Sequence, residues 1–536
     1  MIFYLSQLAR YGQSRHSRAS GNPVGAKNFS PLRLIYSCNI RAKSVNRYNT
    51  LREPALLFLV GVCLSISQFV MIRDFVTILY GEEVVIILVT AAFFLALSLG
   101  YFLSLKFSEQ VFETAFLTIA FLHLTFPFSY RMLAVEIARF DLNSYWYVIL
   151  MFTYALIFSS IFAVFLPRKV HGESAPQKMR ILYSMELTGF AVGFSIVGLS
   201  WNKGVDFIIP IYWVLLAVAI HLALQKKFWT VGFVLIAVLA GNSLTEVDRR
   251  TTALLYENKH SFNNATTLMS INSAYQKVEV IEDGEGERYL YLDGLLNLNA
   301  SDLEDLNYYI AETPARLIKP DKTLIVGNGT LSSVPKVYPY SKSVQSVELD
   351  AGVLLAGEKF FTPGETLVGL DHWNLIVDDG KHFLKTTDDK FDLIIMDIPS
   401  PLTIQEAILH TVEFYQLARS KMTAQGVIAV QLSGPLQNNN RTPARVVAAL
   451  SKAFKQVMVI HSEQADRSFA YASDLLPFDM EKVRTATKMH EEDLKIVSPD
   501  QVPAYIAETT PLAVDNLDLV LRRGWERFEG RYFDED

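Results

Sequence analysis

Cysteine is nearly absent: the 536 residues contain two, Cys38 and Cys63. That excludes a disulfide framework and a cysteine-rich metal site. Histidine offers no substitute. His123, His221, His260, His372 and His410 all stand without a partner at ligand spacing, and no metal is expected. The first 50 residues contain no Asp or Glu at all, and their opening stretch, MIFYLSQLARYGQSRHSR, lacks the sustained apolar core and cleavage site of a secretory signal. Beyond about residue 245 no apolar run is long enough to cross a bilayer. That half also lacks the basic patch by which a nucleic-acid binder is recognised. Internal repeats and low-complexity linkers are missing too.

Long apolar runs are concentrated between Pro54 and Ser243. PALLFLVGVCLSISQFVMI, VVIILVTAAFFLALSLGYF and WYVILMFTYALIFSSIFAVFL each approach the ~20 residues an α-helix needs to cross the hydrocarbon core. Seven spans are expected, over about 54–72, 84–105, 111–130, 146–166, 181–200, 207–224 and 228–244. Pro127 and Arg131 make the third the weakest, and a re-entrant segment is the alternative there. Basic residues favour the N-terminus, the loop holding Arg168, Lys169, Lys178 and Arg180, and the Lys226–Lys227 pair. By the positive-inside rule these face the cytoplasm. Seven spans then put the C-terminal half outside, whereas six would leave it inside. The division expected is a basic, poorly ordered extension (1–50), a multi-pass bundle (51–245), a linker with a β-hairpin subdomain (246–300) and an α/β domain (301–536).

In the C-terminal half YQKVEVIEDGEGERYLYLDGLLNLN reads as a hairpin turning at Asp283-Gly284-Glu285-Gly286. From Thr323 apolar strands alternate with helices, as in a doubly wound, Rossmann-like parallel sheet. Ligands bind such sheets at the carboxyl ends of the strands, which gathers Gly327, Glu348, Asp379, Asp397 and Gln431 around one crevice. Gly327 and Gly329 let backbone approach a ligand. Glu348 is placed to accept ribose hydroxyls and Asp379 an adenine amino group. Asp397, stiffened by Pro399 and Pro401, suits a general base or the anionic partner of a cation. Each acid alone also suits a helix cap or turn; the set points to an adenosine-type ligand.

The order of SAYQKVEV, LYLDG, VGNG, VELD, VDDGKHFL, MDIPSP, EFY and GVIAVQ resembles the spermidine/spermine synthase family, the polyamine aminopropyltransferases, in its multi-pass membrane-fused, class I methyltransferase-like form. Gln68, Arg73 and Gly81, and Tyr183, Glu186, Gly189 and Gly193, match patterns of the fused bundle. The resemblance implies that Gln276 and Asp293 contact decarboxylated S-adenosylmethionine, a co-substrate, with no permanently bound cofactor. It further implies Glu348 for the ribose, Asp379 with Gly380 for the adenine, Asp397 for deprotonating the amine and Tyr415 beside a diamine channel. Departures from the family pattern are Asn328 and the missing acid in GNGTLSS, Asn297 after LDG, and Ser400 where a second carboxylate is usual.

The resulting expectation is a bacterial inner-membrane protein that transfers an aminopropyl group to a polyamine or related amine, with the lipid bilayer and a homodimer as further partners. Two rivals stay open: a catalytically degenerate polyamine or nucleoside-binding module, and an S-adenosylmethionine-dependent methyltransferase.

Overall fold

The computed structural model describes residues 47–79, 82–143, 145–170, 175–200, 204–327, 329–362, 364–399, 401, 403–432, 434–492 and 494–528. The N-terminal extension up to residue 46, Gly81, Asn328 and Ser400 lie outside them. Among the described residues, seven long helical segments form the first half: α1 (Arg47–Leu79), α2 (Glu82–Leu103), α3 (Glu109–Arg139), α4 (Tyr145–Lys169), α5 (Ala175–Leu199), α6 (Gly204–Leu224) and α7 (Lys227–Lys259). Six are long and apolar enough to cross a membrane, while α3 bends by 72° between Glu109–Phe126 and Phe128–Arg139. Pro127 sits in the break, where it has no N–H to offer the His123 carbonyl.

Polar contacts at the two ends of the bundle fix the direction of the chain. At one end Arg52 Nε donates to the Leu222 carbonyl at 2.6 Å, Lys226 pairs with Glu113 at 2.6 Å and Arg168 with Glu109 at 2.6 Å. At the other, Arg131 pairs with Asp248 at 2.6 Å and Lys259 Nζ donates to the Ile78 carbonyl at 2.5 Å. The first limb of α3 therefore traverses the bundle and its second limb lies at the end carrying the C-terminal half. All seven segments run end to end, and α1 starts at the end remote from that half. Helix α7 continues past residue 245 to Lys259, because its polar last turns pack on the sheet that follows.

The closest packing is between α1 and α5. A Cβ at Gly189 would fall 1.9 Å from the Phe58 carbonyl, and one at Gly61 2.0 Å from the Glu186 carbonyl. Small residues at such a crossing let two backbones touch where apolar surroundings give helices no hydrophobic reason to associate. Within the bundle Tyr101 donates to Glu186 at 3.1 Å and Gln68 to Thr90 at 3.2 Å. Outward faces are apolar, with Leu199 84% and Phe228 77% exposed.

The second half opens with a four-stranded antiparallel sheet, β1 (Thr266–Asn272), β2 (Lys277–Glu282), β3 (Arg288–Leu292) and β4 (Leu295–Asn299), larger than the expected hairpin. The Asp283 carboxylate closes its β2–β3 turn by accepting from the amides of Glu285 and Glu287. Next comes an eight-stranded sheet of β5 (Lys322–Val326), β6 (Ser343–Glu348), β7 (Trp373–Val377), β8 (Phe391–Met396), β9 (Met422–Leu432), β10 (Gln456–Ser462), β11 (Arg467–Ser473) and β12 (Lys495–Val497), in the order β12-β10-β11-β9-β8-β5-β6-β7. Only β9-β8-β5-β6-β7 are parallel. The expected all-parallel sheet is thus a mixed one: β11 runs antiparallel to β9 and β10, and β12 antiparallel to β10. The four residues joining β10 to β11 are too few for a parallel crossover. Leu324, Ile325, Ile394 and Ile395, on the central strands, are fully buried and hold the strand ends of the crevice in place.

Replacing Gly189 by Leu should force α1 and α5 apart and lower the thermal midpoint of the full-length protein in detergent by several degrees. Gly198→Leu, at a position with nothing within 4 Å of a Cβ, should leave it unchanged. Equal effects of the two would refute the close crossing.

Candidate active site

Strand β5 ends at Val326, and the chain turns at Gly327 with φ +86°. A Cβ at Gly327 would lie 2.6 Å from the Asp397 carbonyl, and one at Gly329 2.4 Å from Val353 and 3.3 Å from Glu348 Oε2. Glycine is thus required both by backbone conformation and by the passage of this turn between two acids. Gly380 serves a related need, since its Cβ would lie 2.5 Å from Val326 Cγ1.

Glu348 ends β6 almost wholly buried. Burial pushes its carboxyl up to about 7; the Asp350 amide donates to it at 2.9 Å and opposes the shift, while the Asp350 and Asp397 charges reinforce it. Two residues on, Asp350 caps the helix Ala351–Ala356 and accepts from Ser273 Oγ at 2.7 Å and Gln276 Nε2 at 3.2 Å. The small sheet thereby delivers Gln276 to Asp350, beside the strand end that carries Glu348. Asp293 stands beside it in a left-handed turn (φ +49°), its Oδ1 accepting from the Lys277 amide at 2.7 Å. Burial raises the Asp293 carboxyl, and Arg73 of α1 opposes that rise. Arg73 also donates to the Tyr275 carbonyl at 2.8 Å.

Asp379 follows β7 and caps the helix Gly380–Thr386, its Oδ1 accepting from the amides of Lys381 and His382. The helix-cap alternative thus accounts for one oxygen, while Oδ2 has no hydrogen bond among the described residues. Asp397 directly follows β8, its amide donating to the Val326 carbonyl at 2.9 Å. Burial pushes its carboxyl up to about 6, against a hydrogen bond with Ser333 and the charge of Arg467. Ser333 Oγ lies 2.8 Å from Asp397 Oδ2 and 2.6 Å from Asn307 Oδ1, and Asn307 Nδ2 is committed to the Leu303 carbonyl. One hydroxyl proton cannot serve both oxygens fully.

Gln431 lies one residue beyond the Val430–Met396 pair, next to Asp397, and is buried. Tyr415 departs from expectation. It is wholly buried, and its hydroxyl meets His410 Nδ1 at 2.9 Å, while His410 Nε2 meets the Pro399 carbonyl at 3.1 Å. An aromatic ring sealed in the core cannot flank a channel; the pair instead braces the loop leaving β8. Ser400 is outside the described residues. Sequence reasoning missed Ser333, Asn307 and Arg467. Ser333 follows the β5 turn and was open to the same strand-end argument, whereas Asn307 and Arg467 reach the crevice only through the fold.

Residues 306–462 match the family described as the spermine/spermidine synthase domain. The chain carries a spermine/spermidine synthase domain. It is similar to a polyamine aminopropyltransferase of Thermoplasma acidophilum, 29% identical over 178 residues, 33% of this chain and 65% of that protein. To the polyamine aminopropyltransferase of Alkaliphilus metalliredigens it is 26% identical over 265 residues, 46% of this chain and 92% of that protein. Among solved structures it is similar to a spermidine synthase in complex with the transition-state analogue AdoDATO, at 23% identity and TM-score 0.37, covering 48% of this chain and 88% of that one. Against the Thermotoga maritima spermidine synthase the identity is 22% and the TM-score 0.36, covering 48% and 87%. The matches lie in the C-terminal half, and the chain spans just under two thirds of the length of the Thermoplasma protein.

Within the synthase domain Glu348 holds its proton more tightly than an unfolded glutamate does. Its contribution to stability is therefore largest below about pH 4.5 and is lost as pH rises through about 7. Glu348→Gln should stabilise the unliganded protein at pH 8 by up to ~3 kcal/mol and barely at pH 4.5. Thermal unfolding at the two pH values checks this, and a stabilisation independent of pH would contradict the assignment.

Proposed function

We propose that this protein is a membrane-bound aminopropyltransferase that uses decarboxylated S-adenosylmethionine. The observation that carries the reading is the pair of acids, Glu348 buried and Asp397 half-buried, on either side of the turn at Gly327 and Gly329. Glu348 accepts the ribose hydroxyls, and Asp379 Oδ2 accepts from the adenine amino group while the Gly380 backbone lies beside the ring. Gln276 and Asp293 close the donor side. The donor's sulfonium charge favours ionisation of Asp397. Its carboxylate then orients the acceptor ammonium and takes the proton as the amine nitrogen bonds to the aminopropyl carbon. The carbon–sulfur bond breaks, and the electron pair neutralises the sulfonium, leaving 5′-methylthioadenosine. The protein supplies position and a proton acceptor, because the sulfonium is already an activated leaving group.

The bundle is read as embedded in a bacterial inner membrane. Its outward apolar faces exceed what a water-exposed surface carries singly. One feature favours the rival binding module. Arg168, Lys169, Lys178, Arg180, Lys226 and Lys227 belong to the bundle end remote from the synthase domain, so the positive-inside rule puts that domain outside. A donor made in the cytosol requires it inside.

Two experiments test these readings. Asp397→Asn should lower 5′-methylthioadenosine formation by at least about a hundredfold, the scale of general base catalysis, while calorimetry shows methylthioadenosine affinity nearly unchanged. Equal turnover in both proteins would remove Asp397 from the chemistry. Asp500→Cys, on the exposed surface of the synthase domain, should resist an impermeant thiol reagent in intact cells and react after lysis. Labelling in intact cells would replace transfer by the binding reading.

A further inference from the structure

Strand β11 begins at Arg467 and runs antiparallel to β9, with Ser468 opposite Leu432 and Phe469 opposite Gln431. Its first residue therefore stands at the carboxyl end of β9, and β9 alone lies between it and the strand that leads to Asp397. Arg467 is half-buried, and among the described residues its guanidinium makes no hydrogen bond or ion pair. Its charge nevertheless acts on two acids, Asp397 and Asp302. Asp302 opens the helical segment whose Asn307 touches Ser333, which brings it to the same side of the crevice. The amine side thus contains an uncommitted cation within the field of the proton acceptor. Along the chain, the exit from β8 reads Asp397-Ile398-Pro399-Ser400, with one carboxylate and no second.

That arrangement suits a diamine poorly. Both ends of putrescine or cadaverine are ammonium groups, and once one is held by Asp397 the other enters a region that Arg467 makes less negative. A carboxylate reverses the sign of the contact, and a guanidinium presents two parallel N–H groups matched to its two oxygens. We propose that the acceptor is an amine that also bears a carboxylate, a basic amino acid in chemical class, with Arg467 as the specificity residue that holds the carboxylate. This rests on the aminopropyl-transfer reading of the same crevice. The reacting amine loses its proton to Asp397, its nitrogen bonds to the aminopropyl carbon, and the thioether departs as before. Arg467 touches only the carboxylate and takes no proton.

Two pairs of compounds differ by the carboxylate alone: ornithine against putrescine, and lysine against cadaverine. Titrating each into the full-length protein in nanodiscs, saturated with 5′-methylthioadenosine, reads binding without turnover. The wild type should bind the carboxylated member of a pair at least tenfold more tightly. Arg467→Gln should abolish or reverse that ratio, and Arg467→Lys should keep most of it. Tighter or equal binding of the diamines by the wild type overturns the proposal, as does a ratio unchanged in Arg467→Gln or binding of neither class. Turnover with decarboxylated S-adenosylmethionine is read separately. Its absence with the binding preference intact rejects transfer but supports Arg467 as the carboxylate site; turnover with the diamine preferred does the reverse.

Discussion

A buried charge cluster joins the two halves of the molecule, and the geometry of the crevice depends on it. Arg131 of α3, Asp248 of α7, and Lys277 and Glu279 of β2 meet in contacts of 2.6 Å (Arg131–Asp248), 3.3 Å (Lys277–Asp248) and 2.9 Å (Lys277–Glu279). Thr252 and Tyr256 of α7 donate to Glu279, and Ser270 of β1 donates to Asp248. An unpaired charge at such depth costs several kcal/mol, on the order of 3–5 when one partner of a buried pair is removed. The cluster is therefore tolerable only when α3, α7 and β2 close on one another in a single register.

The consequence reaches the Glu348 side of the crevice through the backbone. Lys277 follows Gln276 directly, and its amide is the donor to Asp293. Fixing the Lys277 side chain in the junction fixes the position of Gln276 against Asp350, and Asp350 in turn donates its amide to Glu348. Arg73 adds a second tie from α1 to the Tyr275 carbonyl. The bundle is thus part of the framework of the synthase domain, and any tilt of α1 or α7 is felt at the rim of the crevice. Burial in the crevice raises the carboxyls of both Glu348 and Asp397 above the ordinary carboxylate range.

Much of this was legible in the sequence. Apolar runs of spanning length located the bundle, because backbone in a bilayer must be helical over about that length. Apolar strands ending in Gly327, Glu348, Asp379, Asp397 and Gln431 located the crevice, because a parallel sheet exposes its loops at one edge. The local alternatives were readable too, and Asp379 does cap a helix. What sequence could not supply was any pairing between distant segments. The antiparallel return of β10 to β12 depends on which edge was left open, and the sealing of Tyr415 against His410 depends on how the helix Val412–Ser420 packs. The crossing of α3 despite its bend depends on partners 113 and 117 residues away, Lys226 and Asp248. Ser333, Asn307 and Arg467 became neighbours of Asp397 for the same reason. Periodicity and strand-end chemistry are local and survive in a linear sequence, whereas the charges around Asp397 are set by residues that meet only when the sheet assembles.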